Sequence, residues 1–185
     1  MPGDRLVSTP RSLLMLRLAI LRHAEAVPLT DESDAERELT PGGWEMAEKM
    51  GRYFRDTGLR PDLAWVSPAK RAKETFAGLE RGAGETFAVD YMPRLYSADL
   101  RTLEDVVTEA PTDAKFLLIV GHNPGLAELA HVLAGHGNKA ELVRMRGHFP
   151  APALAVIDFD VDTWQKARRG GGQLEHFVTR QALAK

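Results

Sequence analysis

Phe116-Leu117-Leu118-Ile119-Val120-Gly121-His122-Asn123-Pro124-Gly125 changes character abruptly along its length. Its apolar half has no polar interruption, which suits a strand buried on both faces rather than one lying against solvent. Gly121 closes the run. Asn123-Pro124 then reads as a cap followed by a proline in the first helical turn, opening an apolar helix from Gly125 to Ala134. A strand covered on both sides, feeding directly into a helix, predicts an α/β protein with helices on each face of a sheet.

The same grammar recurs on either side of this stretch. Leu16 to Leu21 predicts a first strand, ending at Arg22-His23. After a polar stretch from Pro28 to Glu38, Thr40-Pro41 reads as a helix start. Trp44, Ala47, Met50, Tyr53 and Phe54 follow at helical spacing, with Gly58 as the stop. Leu63 to Val66 suits a short buried strand, and Ser67-Pro68 repeats the cap-then-proline device ahead of a helix carrying Arg71, Thr75 and Leu79. Arg81 to Glu85 reads as a turn, Phe87 to Val89 as a short strand, and Leu100 to Glu109 as a helix bounded by Pro111. Ala153 to Phe159 and Glu175 to Val178 read as late strands, with Gly170-Gly171-Gly172 between them. In sheets of this kind ligands sit beyond the carboxyl ends of the strands. Three places qualify: Arg22-His23, the Ser67 to Arg71 turn, and His122-Asn123.

Whole-chain properties narrow the chemistry. The 185 residues suffice for one domain with a substantial core, and the formal charge of -2 carries no basic excess that would suit nucleic acid. Cysteine is absent, which removes disulfides, thiolate metal sites and cysteine nucleophiles. Leu13 to Ile20 is interrupted by Arg17, so neither a membrane span nor a clean export signal is read there. The expected organisation is a loose extension over residues 1–15, with Met15 an internal start candidate, followed by a single domain over residues 16–185. The expected location is cytoplasmic, with no membrane and no nucleic-acid partner. His131 and His136 lack the His-Glu-x-x-His spacing of a metal site, no Walker A loop is present, Arg168-Arg169 reads as an exposed turn, and His148 and His176 read as surface residues.

Arg22, His23, Arg71 and His122 are unremarkable one at a time. Converging on one cleft, two arginines and two histidines repel each other unless an anion joins them, and a phosphoryl group fits that need. These residues carry a resemblance. Leu21-Arg22-His23-Ala24 is similar to the Arg-His-Gly/Ala element of the histidine phosphatase superfamily, which has the phosphoglycerate mutase-like fold. Ser67-Pro68-Ala69-Lys70-Arg71-Ala72-Lys73-Glu74-Thr75 resembles its Ser-Pro-x-x-Arg-Ala-x-x-Thr element. Gly121-His122-Asn123 and Leu39-Thr40-Pro41-Gly42-Gly43 match two more, all in family order. The branch it most resembles is the SixA-like phosphohistidine phosphatases, on His122-Asn123-Pro124-Gly125-Leu126 and on Phe149-Pro150-Ala151-Pro152-Ala153-Leu154-Ala155.

The resemblance implies a three-layer αβα sandwich with a mixed, mostly parallel central sheet. It implies His23 as the nucleophile, with Arg22, Arg71 and His122 binding the transferring phosphoryl group and Asn123 beside them in the substrate-binding set. No metal or other cofactor is implied. A neutral imidazole is needed for attack, which its ordinary pKa of about 6.5 allows near neutral pH. Larger family members place a glutamic acid after the segment equivalent to Pro93-Arg94-Leu95. Here Tyr96 and Ser97 stand there, and the proton donor is left open among Glu25, Asp31, Asp34, Glu36 and Asp99, most of which read as solvated acids. Imidazole leaves more readily than an alkoxide, so a site without a dedicated acid suits phosphohistidine on a protein. The alternatives are a loosely specific phosphomonoesterase acting on small phosphate esters and an inactive phosphate-binding or interaction module. Mutase chemistry is not expected, since no lid insertion is evident.

Overall fold

The computed structural model describes residues 15–30 and 33–184. Met15, expected in the loose extension, is the first residue of β1 (Met15–Arg22), and the rest of that extension lies outside the described residues. Along the chain follow α1 (Pro41–Thr57), β2 (Leu63–Val66), α2 (Lys70–Ala83), β3 (Val89–Tyr91), α3 (Leu100–Thr108), β4 (Phe116–Gly121), α4 (Gly125–Leu133), β5 (Ala134–Gly137), α5 (Lys139–Gly147), β6 (Ala153–Asp160), β7 (Gly172–Thr179) and α6 (Arg180–Leu183). The strands form one seven-stranded sheet in the order β3-β2-β4-β1-β6-β7-β5. Pairing is parallel from β3 through β1 and between β5 and β7, and antiparallel where β6 joins β1 and β7. The sheet is therefore mixed and mostly parallel, as expected.

Side-chain alternation along each strand divides the core into two layers. Ala19 and Leu21 of β1, Val66 of β2, and Leu118 and Val120 of β4 face Met50 and Phe54 of α1 and Phe76 and Leu79 of α2. Leu18, Ile20, Leu117 and Ile119 face the other way, toward Leu103 and Val106 of α3, Leu126 and Leu129 of α4 and Met145 of α5. The helices thus cover both faces, which is why β4 tolerates no polar residue. Arg17, which breaks the apolar run of β1, lies directly opposite Asp158 on β6 and forms a two-pronged ion pair with it at 2.7 Å per contact. The carboxylate hydrogen bond pushes Arg17 above its ordinary pKa, so the charge that interrupts the apolar run is neutralised across the sheet. Among the described residues no helix is long and apolar enough to cross a membrane.

Several local expectations shift. Thr40 caps α1 through Gly43 N–H, and Gly58 ends it in the left-handed conformation, both as read. Ser67 and Asn123, however, are not helix caps. α2 begins only at Lys70, and the Asn123 side chain turns away from α4 to the carbonyl of Phe149. The expected turn from Arg81 is helical through Ala83, and the short edge strand sits two residues later, at Val89–Tyr91. His176, read as a surface residue, is half-buried on β7 against the hydroxyl of Tyr53, 2.7 Å away. The segments β5, α5 and α6 carry weak signals. α5 buries only Leu142 and Met145, and the Asn138 side chain caps it through Ala140 and Glu141 N–H.

α1 and α2 pack backbone to backbone, and Gly51 and Gly82 make this possible. A methyl at Gly51 would overlap the Leu79 carbonyl, and one at Gly82 would overlap the Glu48 carbonyl. Gly82→Ala is therefore expected to lower unfolding free energy by about 1–3 kcal/mol through overpacking, despite the ~1 kcal/mol that alanine gains in helix propensity. Gly147→Ala, where the added methyl meets nothing within 4 Å, is expected to be neutral or stabilising. Urea denaturation of the two variants beside wild type checks the contrast.

Candidate active site

The parallel register of β1, β2 and β4 brings three strand ends level. Arg22 pairs with Gly121 and Val66 with Val120. The next residues continue the ladder briefly: His23 N–H donates to Gly121 O at 3.0 Å, and Ser67 N–H to Val120 O at 2.9 Å. His23 and His122 consequently stand side by side, with ring centroids 5.2 Å apart. Arg71, in the first turn of α2, is buried and reaches between them.

Each ring is oriented by a particular neighbour. His23 Nδ1 lies 2.7 Å from the carbonyl of Ala24, which can only accept, so Nδ1 carries the hydrogen. Nε2 is left with its lone pair facing Arg71, whose Nε–H donates to it at 3.3 Å. Ala24 is itself fixed, its N–H donating to Thr75 Oγ1 at 2.9 Å. On the second ring, His122 Nε2 is 2.7 Å from the fully buried Ser67 hydroxyl. That hydroxyl also accepts the Ala69 N–H at 3.4 Å, and its own hydrogen is free to go to Nε2 in the tautomer that keeps the ring hydrogen on the other nitrogen. The His122 hydrogen then sits on Nδ1, a buried atom without a partner. Ser67 was read as a helix cap; its place at a strand end and its position at the head of the Ser-Pro-x-x-Arg element were the signals of its part in the site.

Arg22 and Asn123 meet on one acceptor. The Phe149 carbonyl receives Arg22 Nη1 at 2.9 Å and Asn123 Nδ2 at 2.8 Å. Arg22 Nε and Asn123 Oδ1 remain buried and unpartnered, and no carboxylate among the described residues pairs with Arg22. Burial lowers the pKa of this guanidinium, which marks a cation held without its counter-ion. The structure thus gathers Arg22, His23, Arg71 and His122, and sets Asn123 one step behind as a co-holder of the Phe149 carbonyl.

Of the acids left open, one reaches the cleft. Glu25 pairs with Arg180 at the surface, Glu36 is exposed, Asp99 caps α3, and Asp31 lies outside the described residues. Asp34 sits in a short 3-10 turn (Asp34–Glu36) against the mouth of the site. Its Oδ2 accepts from Tyr96 hydroxyl at 2.7 Å and from Arg71 Nη2 at 3.0 Å, its Oδ1 from Arg37 Nη1 at 3.0 Å, and its main-chain carbonyl from Arg71 Nη1 at 2.6 Å. The Tyr96 hydroxyl, then Arg37 and Arg71, hold the carboxyl far below the usual carboxylate range, and the same hydrogen bond pushes Tyr96 upward.

Burial pushes His23 down to about 3, with His122, Arg71 and Arg22 adding to it. His122 falls to about 4, again mainly by burial and then by Arg71. Both rings are therefore neutral well below pH 6.5, a wider window than an unperturbed imidazole would allow. The sign of the linkage follows. The unfolded chain takes up these protons near pH 6.5 and the folded chain only near 3 to 4, so folding stability is full above about 6.5 and declines as pH falls through this window. Unfolding free energy is expected to drop by on the order of 4 kcal/mol from pH 7 to 5, about half from each ring, with a drop about half as large in His23→Gln. Denaturant titrations at both pH values check it; an unchanged stability would mean the rings titrate normally.

Comparison with known proteins agrees with this geometry. The family model for the histidine phosphatase superfamily (branch 1) matches residues 18–117. A Mycobacterium tuberculosis protein of uncharacterised function is 31% identical over 139 residues, covering 74% of this chain and 85% of its own length. Among solved structures, one from Nakamurella multipartitia, provisionally assigned as the phosphohistidine phosphatase SixA, superposes with a TM-score of 0.78 at 25% identity over 89% of this chain and 96% of that one. A second with the same provisional assignment, from Agrobacterium tumefaciens, gives 0.74 at 26% identity over 89% and 97%. With a sheet, a strand-end cleft and a sequence match all of one kind, the chain belongs to the histidine phosphatase superfamily, branch 1, and is a phosphatase of the histidine-nucleophile type.

Proposed function

We propose that the protein hydrolyses phosphohistidine on a partner protein through a covalent phosphohistidine on its own His23. The observation that carries this reading is the fixed tautomer of His23. The Ala24 carbonyl takes the hydrogen on Nδ1, and Nε2 presents its lone pair toward the buried Arg71 guanidinium, with Arg22 and His122 close enough to act on the ring.

In the proposed first step the His23 Nε2 lone pair attacks phosphorus, and the bond to the leaving group breaks with its electron pair. Charge builds on the three equatorial oxygens, where the Arg22 and Arg71 guanidinium groups and His122 Nδ1–H are the donors at hand. Each is held close by: Arg22 by Phe149 O, His122 by Ser67, and Arg71 by Asp34, with Arg71 Nε releasing the His23 lone pair as the phosphoryl group enters. Water then attacks the phosphorus of phospho-His23, releasing inorganic phosphate and the neutral ring.

The substrate class is supported by what stands near the leaving group. Asp34 is ionised and Tyr96 is made a weaker acid by it, so neither supplies a proton readily at neutral pH. An imidazole leaving group has little need of one, whereas an alkoxide does. The SixA assignments of the two similar structures point the same way.

The test is phosphate release from a phosphohistidine-containing protein and from p-nitrophenyl phosphate by wild type, His23→Ala and Arg71→Gln. The expected result is a preference for phosphohistidine, abolition of turnover in His23→Ala, and a loss of roughly 10²-fold or more in Arg71→Gln. Release from p-nitrophenyl phosphate alone would transfer the same chemistry to small esters. Equal turnover by wild type and His23→Ala would remove His23 as the nucleophile.

A further inference from the structure

Asp34 is an odd neighbour for a phosphoryl site. A carboxylate repels the anion that Arg22 and Arg71 attract, yet Asp34 is held in place by Tyr96, Arg37 and Arg71 together. Its side chain is 38% exposed, against 6% for Arg71, so it lies on the outer side of the guanidinium. Arg71 spans the gap between His23 Nε2 and this carboxylate. A phosphoryl group held by Arg71 therefore has the nucleophile on its inner side. In-line displacement sends the leaving group outward, toward Asp34 and Tyr96.

We propose that Asp34 determines leaving-group specificity by accepting the N–H of the distal ring nitrogen of a substrate phosphohistidine. This rests on the phosphohistidine reading above and adds the residue that enforces it. With its distal nitrogen protonated, the substrate ring is an imidazolium, and the carboxylate stabilises that form. The bond from His23 Nε2 to phosphorus then forms as the bond from phosphorus to the substrate ring nitrogen breaks. The departing electron pair stays on that nitrogen and neutralises the ring, while the proton remains on the distal nitrogen against Asp34. No acid has to deliver a proton to the departing atom. An alcohol leaving group gains nothing from the same carboxylate, because its proton must arrive at the departing oxygen, and a substrate with a second anionic group is repelled.

Tyr96 completes the arrangement. Its hydroxyl fixes Asp34 Oδ2, and its ring stands edge-on to His122 at a centroid distance of 5.7 Å. It occupies the region where larger family members were expected to carry a glutamic acid. An acid that donates is thus replaced by a tyrosine that orients an ionised carboxylate.

The experiment measures kcat/KM for free 3-phosphohistidine and for p-nitrophenyl phosphate in wild type, Asp34→Asn, Asp34→Glu and Tyr96→Phe, with thermal unfolding to confirm that each variant folds. The expected result is that Asp34→Asn lowers the ratio of phosphohistidine to p-nitrophenyl phosphate turnover by on the order of 10- to 100-fold. The high-pH limb of its phosphohistidine profile also moves to lower pH, Asp34→Glu recovers part of the ratio, and Tyr96→Phe lowers it less. An equal loss on both substrates would show that Asp34 only steadies Arg71, and a gain on both that it merely competes with substrate. Either result overturns the inference and leaves the His23 mechanism standing. Failure of that mechanism would look different, as undiminished turnover in His23→Ala.

Discussion

The parallel pairing of β1 with β4, in the register that sets Arg22 against Gly121, is the constraint on which the cleft depends. Residues pointing along a strand can be brought level only by the ladder of hydrogen bonds between them, and here the ladder runs one residue past the regular strands to His23 N–H. A slip of one residue would displace one imidazole from the other by about 3.3 Å and reverse which face each strand shows the core. The two core layers therefore guard the chemistry against such a slip: the register in which Leu18, Ile20, Leu117 and Ile119 face α3 and α4 is also the one that places His23 beside His122.

Electrostatics works against folding at this spot and is contained locally. Two buried imidazoles lie next to two guanidinium groups, and only Arg71 has a carboxylate. The rings respond by staying neutral, which is the protonation state a nucleophile requires. Arg22, among the described residues, has a main-chain carbonyl for its side-chain partner and no carboxylate. The unmet demand for negative charge is specific to this cleft. The other arginine of β1, the half-buried Arg17, is fully matched by Asp158. Function and stability have been separated along a single strand, with Arg17 neutralised at one end of β1 and Arg22 left wanting an anion at the other.

How much of this could be read in the sequence differs by the kind of signal. The strands that lie in the middle of the sheet were legible because burial on both faces excludes polar residues, and β4 shows it most plainly. Arg22, His23, Arg71 and His122 were legible because each follows such a strand directly or by a fixed number of helical residues. The short edge elements were not. β5 is Ala-Gly-His-Gly, where pairing with β7 rather than side-chain pattern makes the strand. The serine and asparagine ahead of prolines looked like caps because local chemistry permits it, but the partners they found, His122 and the Phe149 carbonyl, are distant in sequence. Asp34 was one of five acids left open, and nothing local singled it out. An acid in a polar loop is ordinarily solvated, and only the approach of Arg71 and Tyr96 makes it part of the cleft.

The hold of Phe149 O on Arg22 bridges 127 positions of chain. β1 is made first, yet both its sheet neighbours, β4 and β6, are made much later. During synthesis the first strand must wait, its apolar faces and its arginine uncovered, while the ribosome adds about a hundred residues at some 5–20 per second. A nascent chain ending before Phe149 would already carry His23, Arg71 and His122, yet nothing would hold Arg22 against them. The full set of four side chains in the cleft is thus assembled only in the nearly finished chain.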